Sequence, residues 1–253
     1  MTYFIDITDK RNQVLKNILG GNGLETHEYN FANLNLMKKS DKLVFAPNKK
    51  LQLEDVESFP NSIEVFAGNV SIGVEKFFIE KNIIYHNFLN DEVFAIKNAK
   101  LTAEGVLAII LEQSDKSIFE NQVLILGAGR VGKATAVMLE KLGVKYSLVS
   151  YGKEKFAENY LFSDKNFFKD SFENEIQNFD IIINTIPAKI LDKQIIEKIS
   201  KNTIFVEVAS INTLNLDDVQ NFFYILAPAL PQRFSCETAG KLMFESIIGK
   251  NNF

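Results

Sequence analysis

Tryptophan is absent from this 253-residue chain, cysteine occurs once, histidine twice and proline five times. The lone Cys236 excludes an intramolecular disulfide, so the fold must rest on its core. With two histidines and one cysteine, the residue types that most often serve as base, nucleophile or metal ligand are scarce, and no metal site is expected. No uninterrupted apolar run exceeds six residues, Val106 to Leu111 being one, which is far short of the roughly 20 needed to span a bilayer. The start, Met1 to Asp6, has neither a basic segment nor a long apolar one, and a cytoplasmic location is expected. Positive charge is not in excess either: the formal net charge is -4, which offers no overall attraction to nucleic acid or anionic membranes. An anionic ligand must therefore be held by local groups.

What the chain does have is an apolar core, with 46% hydrophobic residues, and one highly patterned segment. Gln122-Val123-Leu124-Ile125-Leu126 reads as a buried strand, and Gly127-Ala128-Gly129-Arg130-Val131-Gly132 as a turn that opens a helix from Lys133 to Leu142. The chemistry of a dinucleotide demands this pattern. Gly127 permits the tight turn, Gly129 lets backbone approach a pyrophosphate, and Gly132 lets the helix pack on the sheet. The amide groups and positive dipole end of the helix then face the phosphates. A Gly-x-Gly-x-x-Gly alone is weak; the strand before it and the helix after it give it weight.

The second half continues in this style, with apolar strands at Tyr146 to Val149, Asp180 to Ile183, Thr203 to Val208 and Phe223 to Leu226, and a helix over Asp192 to Ser200. Such strands belong to a parallel sheet covered on both faces. The first half alternates too, with strands near Tyr3 to Ile7, Glu25 to Tyr29, Lys42 to Ala46, Ile63 to Ala67 and Ile83 to His86, and helices near Arg11 to Leu19 and Val74 to Lys81. The expected fold is α/β: a Rossmann-type doubly wound parallel sheet with a second, smaller α/β domain, joined by two crossing helices. The expected boundaries are 1–101 for the smaller domain, 102–118 for a crossing helix capped by Thr102, 119–235 for the dinucleotide domain, and 236–253 for a returning helix. Ligands in such a protein are expected in a cleft at the carboxyl ends of the strands.

An NAD site usually carries Asp or Glu at the end of its second strand, to hold the ribose 2′-hydroxyl. Here the strand ends in Ser150-Tyr151-Gly152-Lys153-Glu154-Lys155. The hydroxyl of Ser150, with Tyr151, Lys153 and Lys155, suits a 2′-phosphate and favours NADP over NAD. Glu154 is the alternative ribose ligand. Asn184-Thr185-Ile186-Pro187 would lie at the nicotinamide end, where Asn184 and Thr185 can hydrogen-bond and Pro187 shapes the turn. Ala209 and Ser210, after the next strand, open toward the same edge.

These motifs, in this order, resemble the A subunit of dipicolinate synthase. The resemblance runs from about Asn90 to Ile248 and rests on Asn98, Thr102-Ala103-Glu104-Gly105, Gly127 to Gly132, Asn184 to Pro187, Glu207-Val208-Ala209-Ser210 and Thr238-Ala239-Gly240. It implies NADP-linked oxidation of a cyclic dicarboxylate of the lysine and dipicolinate pathway, in spore-forming bacteria, beside a flavoprotein-like second subunit, and hence a homo- or hetero-oligomer. A dicarboxylate needs cations, and Lys100 and Arg233 are the candidates, with Thr102, Glu104, Ser210 and Thr238 as further substrate contacts. Thr102 and Glu104 read equally well as a helix cap and a first-turn acid. The chain departs from the family pattern at Ile211-Asn212-Thr213, where Pro-Gly-Gly is usual, and at Ala229, Gln232 and Glu237, and its first half is short.

His27 and His86 fall in none of these motifs, and Cys236 reads as a turn residue, so no general acid or base is assigned. Three readings stay open: the oxidoreductase just described, a nucleotide-binding subunit that works only through a partner, and another dehydrogenase of the shikimate dehydrogenase type.

Overall fold

A computed structural model of the chain describes residues 1–215 and 219–249; the last four residues of the expected returning segment, 250–253, lie outside these. In chain order the principal elements of the first half are β1 (Tyr3–Ile5), α1 (Lys10–Gly21), β2 (Thr26–Glu28), β3 (Lys42–Val44), α2 (Leu53–Val56), β4 (Glu64–Ala67), α3 (Ile72–Glu80), β5 (Ile84–Asn87) and α4 (Glu92–Gln113). There follow β6 (Val123–Leu126), α5 (Arg130–Leu142), β7 (Tyr146–Ser150), α6 (Lys153–Glu158), β8 (Asn166–Phe168), β9 (Ile181–Asn184), α7 (Lys193–Ile196), β10 (Ile204–Glu207), β11 (Phe223–Leu226), α8 (Leu230–Phe234) and α9 (Cys236–Gly249). Two compact units result, one of residues 1–98 with 231–253 and one of residues 99–230.

The first unit holds the sheet β2-β1-β3-β4-β5, every neighbouring pair parallel. One face is filled by Phe4, Leu43, Phe45, Val65 and Ala67 packed on Val74 and Phe78 of α3. Helices α1 and α9 also pack together: a β-carbon on Gly240 would stand 2.7 Å from that of Val14, so only glycine admits this approach. Asp9 caps α1 through the Arg11 amide and also binds the Arg11 guanidinium at 2.6 and 2.9 Å, both side chains being buried.

The second unit holds the sheet β11-β10-β9-β6-β7-β8, again wholly parallel. Written from β6 as the first strand, this is the 3-2-1-4-5-6 order of a dinucleotide-binding sheet, with its reversal point between β6 and β9. The central strands are largely apolar because successive residues enter opposite cores. Val123 and Ile125 join Ile181, Ile183 and Val206 on one face; Leu124 and Leu126 join Ile182 and Phe205 on the other. Each fully buried aliphatic side chain contributes about 1.5–3 kcal/mol. Asp180 ties the starts of β6 and β9 together, accepting from the Gln122 amide at 2.8 Å while binding Lys116 at 2.8 Å.

The fold class is that expected, an α/β protein with a Rossmann-type sheet and a second α/β unit. Two local readings need correction. The helix expected to start after Thr102 starts at Glu92, where Asp91 accepts from the Phe94 amide at 3.1 Å; Thr102 is buried in mid-helix and is not a cap. Nothing between Glu92 and Thr102 breaks a helix, and Phe94, Ala95, Ala99 and Leu101 supply it with a buried face. The expected helix from Asp192 to Ser200 is only the single turn α7.

Candidate functional site

The geometry of the glycine turn explains each glycine separately. Gly127 follows β6 at φ 106°, a conformation L-residues rarely adopt, and its β-carbon would meet Thr185 Oγ1 at 2.6 Å and Ile186 Cγ1 at 2.7 Å. A β-carbon on Gly132 would overlap the Gly127 carbonyl oxygen. Gly129 is different: nothing lies within 4 Å of the β-carbon it lacks. That open space stands at the start of α5, where Gly129 is the cap residue and carries no side chain to cap the helix amides. The turn therefore combines a tight fold at Gly127 and Gly132 with an unobstructed helix start at Gly129, an arrangement that fits a pyrophosphate. Ala128 is buried, whereas Arg130 is exposed and Val131 half-buried.

The end of β9 lies directly beside this turn, across the reversal point. Thr185 donates its hydroxyl to the Leu126 carbonyl at 2.9 Å, and its amide to the same oxygen at 3.0 Å. Asn184 is buried; its Oδ1 accepts from the Ile186 amide at 3.1 Å, and its Nδ2 donates to Glu207 at 3.0 and 3.1 Å and to Thr213 at 2.9 Å. Pro187 is exposed beyond it. At the end of β10, Glu207 has no solvent exposure; its oxygens accept from Asn184, from the Ala209 amide at 3.2 Å and from the Thr213 hydroxyl. Burial pushes its carboxyl above the ordinary range, although the hydrogen bonds from Thr213 and Asn184 oppose that shift. Ala209 is buried and Ser210 exposed just after it.

The sequence sets Glu207 at the head of the Glu207-Val208-Ala209-Ser210 motif but assigns it no role. Its signal is an acid closing an otherwise apolar strand, Ile204-Phe205-Val206-Glu207.

The end of β7 differs in detail from the expectation. Ser150 is buried, with its hydroxyl accepting from Asn159 Nδ2 at 2.8 Å, so it supports the strand end from within rather than presenting a free surface group. Lys153 and Lys155 are exposed at the start of α6. Tyr151 is 37% exposed, and its hydroxyl is pushed up to about 12 by burial and then by the charges of Asp170 and Glu173. No acid closes β7 itself.

The remaining predicted residues are distributed as follows. Lys100 and Glu104 are exposed on α4 beside the buried Thr102, all within the second unit. Arg233 and Thr238, both exposed, belong to the first, and the Arg233 guanidinium stacks 4.7 Å from the Phe234 ring centre. His27 and His86 are also in the first unit; His86 stacks on Phe66 at 4.4 Å and meets Glu64 at 3.0 Å, and Glu64 in turn binds the buried Lys42 at 3.1 Å. Among the described residues, no group of three or more His, Cys, Asp or Glu side chains is placed to hold a metal, and no helix is long and apolar enough to cross a membrane. A hollow of about 570 Å³, lined by Gln122, Glu140, Tyr146, Tyr160 and Lys165, lies at the amino ends of β6 and β7, the opposite end of the sheet from the glycine turn.

Comparison with known proteins agrees with this geometry. Residues 102–223 match the model of the D-isomer specific 2-hydroxyacid dehydrogenase NAD binding domain. The dipicolinate synthase A subunit of Bacillus subtilis (strain 168) is 25% identical over 197 residues, 76% of this chain and 66% of that protein, so the match spans just under two thirds of the relative's length. Over this stretch the chain is similar to the dipicolinate synthase A subunit. Among solved structures, the A subunit of dipicolinate synthase from Bacillus halodurans superposes with a TM-score of 0.84 at 19% identity, covering 98% of this chain and 96% of that one. Its counterpart from Bacillus subtilis gives 0.80 at 19% identity, covering 97% and 93%. Residues 102–223 are thus similar to an NAD binding domain, the likeness to the solved structures is one of fold, and the relative is one subunit of a synthase.

Proposed function

We propose that the chain is an NADP-linked oxidoreductase of the type of the dipicolinate synthase A subunit, acting on a cyclic dicarboxylate. The observation that carries the reading is the glycine turn, with Gly127 and Gly132 sterically committed and Gly129 open before a helix whose cap residue carries no side chain. The nicotinamide supplies the hydride chemistry when bound, and the protein supplies orientation and charge. Thr185 borders the turn, Asn184, Pro187 and Ala209 are proposed as further cofactor contacts, and Lys153 and Lys155 are the proposed contacts of the 2′-phosphate. The exposed Lys100 and Arg233 are the proposed cations for the carboxylates, with Glu104, Ser210 and Thr238 as polar contacts. By analogy with its relative, the protein would work in the cytoplasm of a spore-forming cell beside a flavoprotein-like partner subunit.

Fluorescence titration of the purified chain with NADPH and NADH tests the cofactor, with NADPH expected to bind more tightly. Absorbance assays with a dihydrodipicolinate-type substrate, alone and with the partner subunit, then test the reaction. Neither histidine belongs to the dinucleotide-binding unit, which favours one second reading: a subunit that binds the nucleotide but turns over only in complex. Dinucleotide binding with turnover solely in the presence of the partner would identify that case.

A further inference from the structure

Glu207 is a fully buried carboxylate that the proposed chemistry does not itself use. Taking a charge out of water is costly unless its hydrogen bonds are well met. Here they are met from two different loops. Asn184, at the end of β9, reaches both oxygens, while the Ala209 amide and Thr213 hydroxyl come from the segment after β10. The same Asn184 turns its Oδ1 to the Ile186 amide, and Ile186 is one of the two side chains that close on Gly127. A continuous set of contacts therefore runs from Glu207 through Asn184 and Ile186 to the first glycine of the turn.

The arrangement needs an acceptor on both sides. A glutamine at this position would present an NH2 group to Asn184 Nδ2, the Ala209 amide or the Thr213 hydroxyl, all of which donate, so at least one bond would become a donor-donor contact. An ionised carboxylate accepts from every partner. It also fixes which way the Asn184 amide faces, with nitrogen toward Glu207 and oxygen toward Ile186.

We propose that Glu207 is a positioning residue for dinucleotide binding, which through Asn184 holds the turn over residues 184–188 against Gly127 and so sets the shape of the glycine turn. The proposal rests on the dinucleotide reading above. Glu207 acts from behind the turn, so its loss weakens NADH and NADPH alike, unlike a change at the end of β7.

The test is fluorescence titration of NADH and NADPH on wild type, Glu207→Gln, Asn184→Ala, the double variant and Thr213→Val, each checked for folding by circular dichroism. Glu207→Gln is expected to weaken both dinucleotides about tenfold, Asn184→Ala similarly, and the double variant no further than the weaker single one, because the two act in one chain of contacts. Wild-type affinity in a folded Glu207→Gln protein, or losses that multiply in the double variant, would overturn the proposal while leaving the dinucleotide reading intact. Should Glu207→Gln fail to fold, Thr213→Val decides: at constant shape it removes both bonds of this hydroxyl, the one it donates to Glu207 and the one it accepts from Asn184, and is expected to weaken both ligands about threefold. Unchanged affinity there counts against the proposal. A wild-type chain that binds neither dinucleotide would overturn the dinucleotide reading and this proposal with it.

Discussion

A β-carbon on Gly132 would occupy the same space as the carbonyl oxygen of Gly127, whereas one on Gly129, three residues earlier in the same turn, would touch nothing within 4 Å. The two positions should therefore fail in different ways. Gly132→Ala forces the helix off the strand and is expected to destabilise the protein by about 1–3 kcal/mol or more, the usual range for overpacking. Gly129→Val, at an extended φ of -80° open to any residue, should unfold at the wild-type temperature yet lose at least about tenfold in NAD(P)H affinity. Thermal melts and ligand titrations on both variants check the pair. Unchanged dinucleotide affinity in Gly129→Val would remove the phosphate from this turn.

This contrast also shows what a sequence exposes and what it hides. The glycine turn, β6 and α5 were legible because their signals are contiguous: an apolar strand, three spaced glycines and a helix ended by Gly143. The five strands of the first unit were legible for the same reason. The short β8 was not, because only Phe167 of its three residues is buried and no alternation can form. The start of α4 was misplaced because Thr102 followed by Ala-Glu-Gly looks like a cap, and its burial in mid-helix becomes visible only after folding. The Glu207 network was hidden because Asn184 lies 23 residues away in sequence, and the parallel pairing of β9 with β10 sets those two positions side by side.

Burial raises the Glu207 carboxyl above its ordinary value of 4.5, and this has a signed consequence for stability. A group that holds its proton more tightly when folded contributes stability below its unfolded value and loses it as pH rises through the folded one. Wild type should thus lose stability relative to Glu207→Gln as pH is raised upward from about 4.5, since Asn184 and Thr213 carry no charge that titrates there. Asp180 and Glu158, both held low through Lys116 and Lys133, act in the opposite direction but are common to both proteins. Urea unfolding across that range reads the difference; a difference that does not change with pH would show that the buried carboxyl does not titrate there.

Thr185 joins β9 to the glycine turn by its hydroxyl bond to Leu126. Thr185→Val keeps the shape and deletes that bond, and the Leu126 oxygen still accepts the Thr185 amide, so no acceptor is orphaned. The expected loss is about 1 kcal/mol of stability, the usual worth of one such bond. Dinucleotide affinity should fall modestly as well, because Thr185 Oγ1 is one of the atoms that bound the space above Gly127. Chemical denaturation and NADPH titration measure the two effects.

The choice between NADP and NAD turns on Lys153 and Lys155, since Ser150 is committed to Asn159 and β7 ends without an acid. Exposed lysines are worth little to one another or to the fold, but a 2′-phosphate carries close to two charges, and each well-placed ammonium contributes about 1.5–3 kcal/mol to holding it. Asp170 and Glu173, which raise the Tyr151 hydroxyl, bring negative charge to the same strand end and would oppose the phosphate. The preference is therefore expected to be set by the two lysines and to weaken as salt screens them. Lys153→Glu with Lys155→Glu should shift the ratio of NADPH to NADH affinity toward NADH by about tenfold or more, with thermal stability close to wild type. Paired titrations at low and high salt give the answer: tighter binding of NADH by the unmodified protein would transfer the role at this strand end to Glu154 as the ribose ligand.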